Sequence, residues 1–335
     1  MNIRSSIMKI TPENAALVQP AQASFPPAAS SYLKGMLACI VAALLFGTMF
    51  PVMTHALTHI DPFSFTALRY LVGGVCFVIL LRWREGPGAL GLDGHSGWLA
   101  WLLGSIGFCG FGSFVFLGQK LAGPEGALTA SIMMATQPMI GLLVNSAMKR
   151  VAPPLPAFLF ILMSFAGIAL VVTKGDIAAL LSAPQNYSAN ALIVVGAACW
   201  VVYTFSGAYF PRWSGVKYTT MTLLLGLPTI VGLAVALLAT GAVPTPSGDD
   251  LIAILPDRLY MGPVAGFAAV LLWIVGNKIL TPLNGVLFVD IVPITTFTVS
   301  ALTGVVPSTG QLIGAALSGT ALILNNLYQR RRAAR

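Results

Sequence analysis

Charge is what this chain has least of. Only 8% of its 335 residues are Asp, Glu, Lys or Arg, while 57% are hydrophobic and the mean hydropathy is +0.86. A water-soluble domain needs far more charge on its surface, so that class is excluded. Histidine is scarce as well, with three residues. His55 and His59 share a helical face near Asp61, but the neighbouring sequence adds no further His or Cys, so an interfacial role is expected rather than a metal site. Cys39, Cys76, Cys109 and Cys199 fall in separate apolar runs without a C-x-x-C pair, as small packing residues would. Phosphate-binding loops, HExxH pairs and nucleophile elbows are also missing. Their absence argues against an ATP-driven cycle and against an enzyme, and no cofactor is expected. Residues 1–31 contain no apolar run of signal-peptide length before a small-residue cleavage site, so this stretch is expected to be a retained, disordered tail.

What the chain does have is a series of continuous apolar runs. A helix needs about 20 residues to cross a hydrocarbon layer roughly 30 Å thick. Runs of that order cover 34–58, 62–81, 97–119, 124–148, 155–173, 189–210, 216–240, 259–277, 282–303 and 309–328. They are unbroken rather than alternating, which implies helices and not barrel strands. The expected fold is therefore an all-α integral membrane protein with ten transmembrane helices.

Those runs repeat. Gly118-Gln119-Lys120, Gly123-Pro124 and Pro138 are echoed by Gly276-Asn277-Lys278, Pro282 and Pro293, and an offset of about 154 also pairs Phe46 with Trp200. Each copy holds five runs, an odd number, so the second copy must enter the bilayer from the opposite side. The domain reading is a cytoplasmic tail at 1–33, a first five-helix repeat at 34–173, a connecting loop at 174–188, a second repeat at 189–328 and a basic cytoplasmic tail at 329–335.

Orientation follows from basic residues. With both termini cytoplasmic, that side collects Arg82, Arg84, Lys149, Arg150, Arg212, Lys217, Lys278, Arg330, Arg331 and Arg332, and the other only Lys120, Lys174 and Arg258. A net charge of +8 spread over short loops and one tail fits this positive-inside bias better than a nucleic-acid face. The partners expected are the lipid bilayer and a small-molecule substrate, with no nucleic acid and a monomer or homodimer.

Glycine and proline organise the interior. Gly104, Gly107, Gly110 and Gly112 line the third run, where small residues let helices approach closely. Proline at mid-span leaves a carbonyl unpaired one turn earlier, which is tolerable only where protein or a wet cavity satisfies it. Pro138 and Pro293 therefore mark expected cavity walls. A charged group in hydrocarbon costs several kcal/mol, about 2.5 to 3.5 on insertion scales, so an ionisable residue at mid-span is a functional candidate. Asp290, three residues before Pro293, is the candidate for substrate or proton binding, with a buried structural pair as the alternative. Arg69 is the candidate coupling or gating partner, although its distance from Asp61 also allows snorkelling to the interface. Gln137, Phe46, Trp200 and Tyr203 complete the expected substrate site, with Trp273 as a further aromatic. Lys120, Asn277 and Lys278 are gate candidates, or else interfacial anchors.

These residues carry a resemblance. The closing run 311–324, with its Q-x-x-G-x-x-L pattern from Gln311, the Ala42-to-Gly47 opening, Arg69, and the paired Pro138 and Pro293 are together similar to the EamA-type branch of the drug/metabolite transporter superfamily, over about 34–328. Many members carry a Glu before the last helix of each half, where this chain has Val151 and Val305. The resemblance implies a ten-helix secondary transporter in a bacterial inner membrane, exporting a small metabolite, amino acid or xenobiotic by alternating access, with proton coupling in view. Facilitative uptake and a non-transporting sensor or assembly protein are the alternatives.

Overall fold

A backbone surrounded by apolar side chains must satisfy its own polar groups, and a helix does so within one segment. The computed structural model describes residues 29–134, 136–149, 155–173, 185–280, 288–289 and 291–333, and among them every regular element is helical. The first half comprises α1 (Ala29–Ala56), α2 (Pro62–Glu85), α3 (Gly97–Leu121), α4 (Gly126–Met134), α5 (Gln137–Lys149) and α6 (Leu155–Thr173). The second comprises α7 (Gln185–Ser206), α8 (Gly215–Ala239), α9 (Leu255–Leu280), α10 (Ile291–Leu302) and α11 (Thr309–Ala333). Seven spans among the described residues are long and apolar enough to cross a membrane, one of them, Gly123–Val144, taking in α4 and the start of α5, and Phe158–Val171 and Ile291–Leu302 are shorter apolar helices.

Helix starts follow local chemistry. The Asp61 carboxylate accepts from the Phe63 and Ser64 amides, with Pro62 opening α2, and Ser96 and Ser214 cap α3 and α8. At α11, Ser308 and Gln311 exchange side-chain and backbone hydrogen bonds as a capping box, so Gln311 of the closing-run pattern is first of all a helix-starting residue. Side chains outside the bundle, such as Leu71, Val75 and Ile79 on α2, are apolar and exposed at four-residue spacing, as a lipid-facing stripe requires.

Several boundaries differ from the hydropathy reading. Helix α1 begins at Ala29, inside the expected tail, α7 begins at Gln185, inside the expected loop, and α11 runs to Ala333, beyond the expected end at 328. Polar or basic residues at a helix end extend it past the hydrocarbon edge without ending it, and basic residues suit a C-terminus. In the fourth run α4 ends at Met134 and α5 begins at Gln137, after a turn at Thr136, so Pro138 lies in the first turn of α5. Pro293 occupies the corresponding first turn of α10. Both prolines sit where a missing amide costs nothing within the helix.

Packing obeys the repeat. Gly118 on α3 meets α7, where an added Cβ would lie 2.5 Å from the Ala189 carbonyl oxygen, and its echo Gly276 on α9 meets α1, 2.4 Å from Cys39 Sγ. Ser164 on α6 and Ser318 on α11, themselves 154 apart, share a hydrogen bond of 3.1 Å. Beside them Gly167 and Gly314 face each other's carbonyls. The π-helical segment Ser105–Gly110 of α3 has its counterpart in Tyr260–Ala268 of α9. Direction is reversed between the copies. Lys120, at the end of α3, reaches toward the Ile60 carbonyl beyond the C-terminal end of α1, whereas Ile279 and Leu280, at the end of α9, contact Gly35 near its N-terminal end. Thus α3 and α9 run oppositely, as an inverted pair must.

The third-run glycines mark close approaches. A Cβ at Gly104 would lie 1.8 Å from the Thr222 carbonyl oxygen, and one at Gly107 would lie 2.4 Å from the Tyr203 ring. Within α1, Pro51 cannot donate to the Gly47 carbonyl one turn earlier. The Thr296 hydroxyl from α10 donates to that carbonyl at 2.7 Å, and Thr296 is fully buried. Thr296→Val keeps the shape but leaves the carbonyl unpaired, so a loss of about 1 to 3 kcal/mol is expected. Thermal unfolding of the detergent-solubilised protein checks this, with exposed Thr298→Val as a control that leaves the midpoint in place.

Candidate functional site

Where α1 to α5, α7, α9 and α10 converge, their inward faces leave a pocket of about 600 Å³, a volume that includes the solvent at its open side. The first half contributes Phe46, Met49 and Phe50 from α1, Arg69 and Tyr70 from α2, Phe111 from α3, Met134 from α4 and Gln137 from α5. The second contributes Trp200 from α7, Val270 and Trp273 from α9, Val289, and Val292 from α10. Aromatic pairs join the halves around this space. Phe46 meets Trp273 edge-on at 6.3 Å between ring centroids, and Phe111 meets Trp200 at 5.4 Å. Phe46 and Trp200, counterparts in the repeat, both line the wall.

Arg69 is 3% exposed and faces this pocket, not the interface that snorkelling would have reached. Asp61 is occupied in capping α2 instead. The guanidinium carbon lies 4.9 Å from the Tyr70 ring centroid and 5.5 Å from that of Phe116. Its Nε and Nη1 are buried without a hydrogen-bond partner, and no carboxylate among the described residues pairs with it. Room for the group comes from α9, where a Cβ added at Gly266 would approach Arg69 Nε to 3.5 Å.

The other sequence candidates divide. Gln137 lines the pocket and donates only to Met134 Sδ at 3.2 Å, whereas Pro138 and Pro293 stand next to lining residues without entering the wall themselves. Tyr203 lies behind Trp200, its hydroxyl bonded to Thr222 and its ring stacked on Tyr218 at 5.0 Å; this side chain supports the wall rather than forming it. Asn277 donates back to the Trp273 carbonyl within α9, and Lys120 and Lys278 are exposed, away from the pocket. Asp290 lies outside the described residues. Met49, Phe50, Tyr70, Phe111 and Met134 were not anticipated. Phe50 could have been found four residues after Phe46 on one helical face, and Tyr70 as the neighbour of Arg69.

Polar contacts join the halves at both ends of the bundle. Beyond α1, His55 Nδ1 sits 2.8 Å from Asp257 Oδ2 and His59 Nδ1 3.4 Å from Asp250 Oδ1. Hydrogen bonds from the Ser247 hydroxyl and amide hold the Asp250 carboxyl below its ordinary range. At the opposite end, Asp93, in the α2–α3 loop, pairs with the buried Lys217 ammonium of α8, and Ser214 donates to Glu85. The described residues hold no group of His, Cys, Asp and Glu suited to a metal.

Comparison with known proteins then fixes the class. Residues 33–173 match the EamA-like transporter family. A transporter of Bacillus subtilis (strain 168), YrdR, described as uncharacterized, is 39% identical over 298 residues, covering 89% of this chain and 92% of that one. The chain belongs to the EamA-like transporter family. YyaM, from the same organism and likewise described as an uncharacterized transporter, is 24% identical over 276 residues, covering 82% and 88% of the two chains. A crystal structure of a protein 24% identical superposes with a TM-score of 0.60 over 90% of this chain and 98% of its own, which supports the fold alone. This EamA-type protein is therefore a multi-pass membrane transporter, and its pocket lies where the two halves meet.

Removing the partner of a buried ammonium is costly, but Asp93 is itself 43% exposed, so solvent screens much of the loss. Asp93→Asn is expected to lower stability by about 1 kcal/mol, read as a drop in thermal midpoint. Exposed Arg84→Gln should stay within about 0.5 kcal/mol of the parent.

Proposed function

We propose that this EamA-type protein is a secondary transporter of the bacterial inner membrane that exports a small metabolite by alternating access, with both termini in the cytoplasm. The observation that supports the reading is the pocket lined by both halves, with polar contacts between the halves at each end of the bundle. Substrate rests among Phe46, Gln137, Trp200 and Trp273, and the two five-helix units, 34–173 and 189–328, rock about it so that one end opens while the other stays latched. The basic residues of the cytoplasmic loops support the orientation. The binding energy of an aromatic cage is non-directional, so such a site tolerates a family of related solutes.

Proton coupling is assigned to Asp290 on its sequence position three residues before Pro293. A carboxylate that must release and regain its proton makes flux depend on the pH gradient, whereas an amide cannot. Asp290→Asn is expected to flatten the pH dependence of transport in proteoliposomes; an unchanged profile removes Asp290 from the coupling step.

The cycle itself is tested at the His55–Asp257 latch. In a chain whose native cysteines are replaced, His55→Cys combined with Asp257→Cys is bridged by a short, reducible bifunctional thiol reagent. Flux should stop on bridging and return on reduction. Full flux through the bridged protein would refute alternating opening at that end. A sensor or assembly protein would instead show no flux across broad solute panels in either state.

A further inference from the structure

We infer that the pocket recognises a small monoanionic carboxylate with an apolar or aromatic body, and that Arg69 is the residue that holds its charge. This rests on the pocket being the transport site and names the chemical class it accepts.

The argument starts from an imbalance. A guanidinium offers five N–H donors and no acceptor, and it stays charged at any pH a cell reaches. Buried donors in folded proteins are nearly always paired, yet Arg69 Nε and Nη1 are buried and bond to nothing. The Tyr70 and Phe116 rings offset part of the cost of holding that charge, but ring faces accept none of its in-plane hydrogen bonds. Residues elsewhere in the bundle show what a structural charge looks like here. Lys217, as deeply buried, has Asp93, and Asp61 has two backbone amides on one oxygen, while its other oxygen is buried without a partner. Arg69 alone among these three lines the pocket, so its unpaired donors are the ones a solute there can reach.

The shape of the deficit selects the ligand. A planar fork matches the two oxygens of a carboxylate, which accept parallel hydrogen bonds at low desolvation cost to the arginine. Among the described lining residues one guanidinium is the only charge, and it balances a single negative charge, so dianionic phosphate or sulfate would enter under-compensated. Phe46, Phe111, Trp200 and Trp273 suit a flat or branched apolar body. Gln137 adds a neutral amide able to meet a carbonyl or hydroxyl on that body.

The test uses the full-length protein in lipid nanodiscs, with phenylacetate, phenylacetamide, phenethylamine and inorganic phosphate as probes. Trp200 and Trp273 in the wall allow fluorescence quenching to report occupancy, checked by calorimetry. Phenylacetate should bind at least about 10-fold more tightly than the isosteric amide, with the amine and phosphate weaker still. Arg69→Gln should erase the preference for carboxylate over amide, and Arg69→Lys should restore part of it. The comparison of probes on the parent protein stands even if Arg69→Gln does not fold. Nanodiscs of phosphatidylcholine, with and without phosphatidylglycerol, separate a free solute from a lipid headgroup. Equal affinities support the free carboxylate, whereas loss of phenylacetate binding in anionic lipid would assign Arg69 to a lipid and overturn the inference. Equal binding of acid and amide, preference for the amine, or an unchanged ratio in Arg69→Gln would also overturn it. If a neutral or cationic solute binds instead and Trp200→Ala abolishes that binding, the transport-site reading survives and only the anionic class falls. If no solute of any charge binds and flux ignores the pocket variants, both fall.

Discussion

Close approach of helices at residues without side chains is the constraint on which this bundle depends. Lipid tails are as apolar as leucine, so no hydrophobic gain draws helices together inside a bilayer, and contact must be won by dispersion and backbone proximity. Gly118 against α7, Gly276 against α1, Gly104 against the Thr222 carbonyl and the Gly167–Gly314 pair each bring one backbone onto another. These contacts hold the first half against the second, and the pocket is the space left where bulky side chains, Phe46, Trp200 and Trp273 among them, replace glycine at the crossings.

Within that frame the polar groups fall into two kinds. Most are answered locally or across a helix crossing, as with the Gly47 carbonyl freed by Pro51 and met by Thr296, or the Tyr260 hydroxyl donating to the Leu45 carbonyl. Arg69 is of the other kind. Its charge is desolvated, flanked by rings and left with donors unspent, and that combination sits in the wall of the pocket where the two halves meet. Ground-state stability would be better served by an apolar side chain there.

Much of this architecture could be read from the chain. Apolar runs gave the helices, and the echo of Gly118-Gln119-Lys120 in Gly276-Asn277-Lys278 pointed to two copies of opposite sense, but not to the packing of each on the other's first helix. The glycines of α3 were read as contact points, and the structure places Thr222, Tyr203, Cys199 and Thr66 against them. Helix ends were less legible, because hydropathy marks the hydrocarbon edge while capping and polar extensions decide where a helix stops. Site residues were legible in part. Phe46, Trp200, Trp273 and Gln137 lie in the wall, but Tyr203 stands one layer back, since periodicity cannot separate a lining ring from one that supports it. The position of Arg69 depended on which way α2 turns its polar face, and that is set by tertiary contacts with α3 and α9 that no local pattern encodes.

The Ser164–Ser318 hydrogen bond joins positions that correspond in the two copies. A contact between equivalents straddles the axis relating the copies, so it maps onto itself when the copies trade places. In the proposed cycle, where each half takes up the conformation the other has left, this bond keeps the same two partners in both states, and α6 against α11 is a junction that the exchange does not need to break.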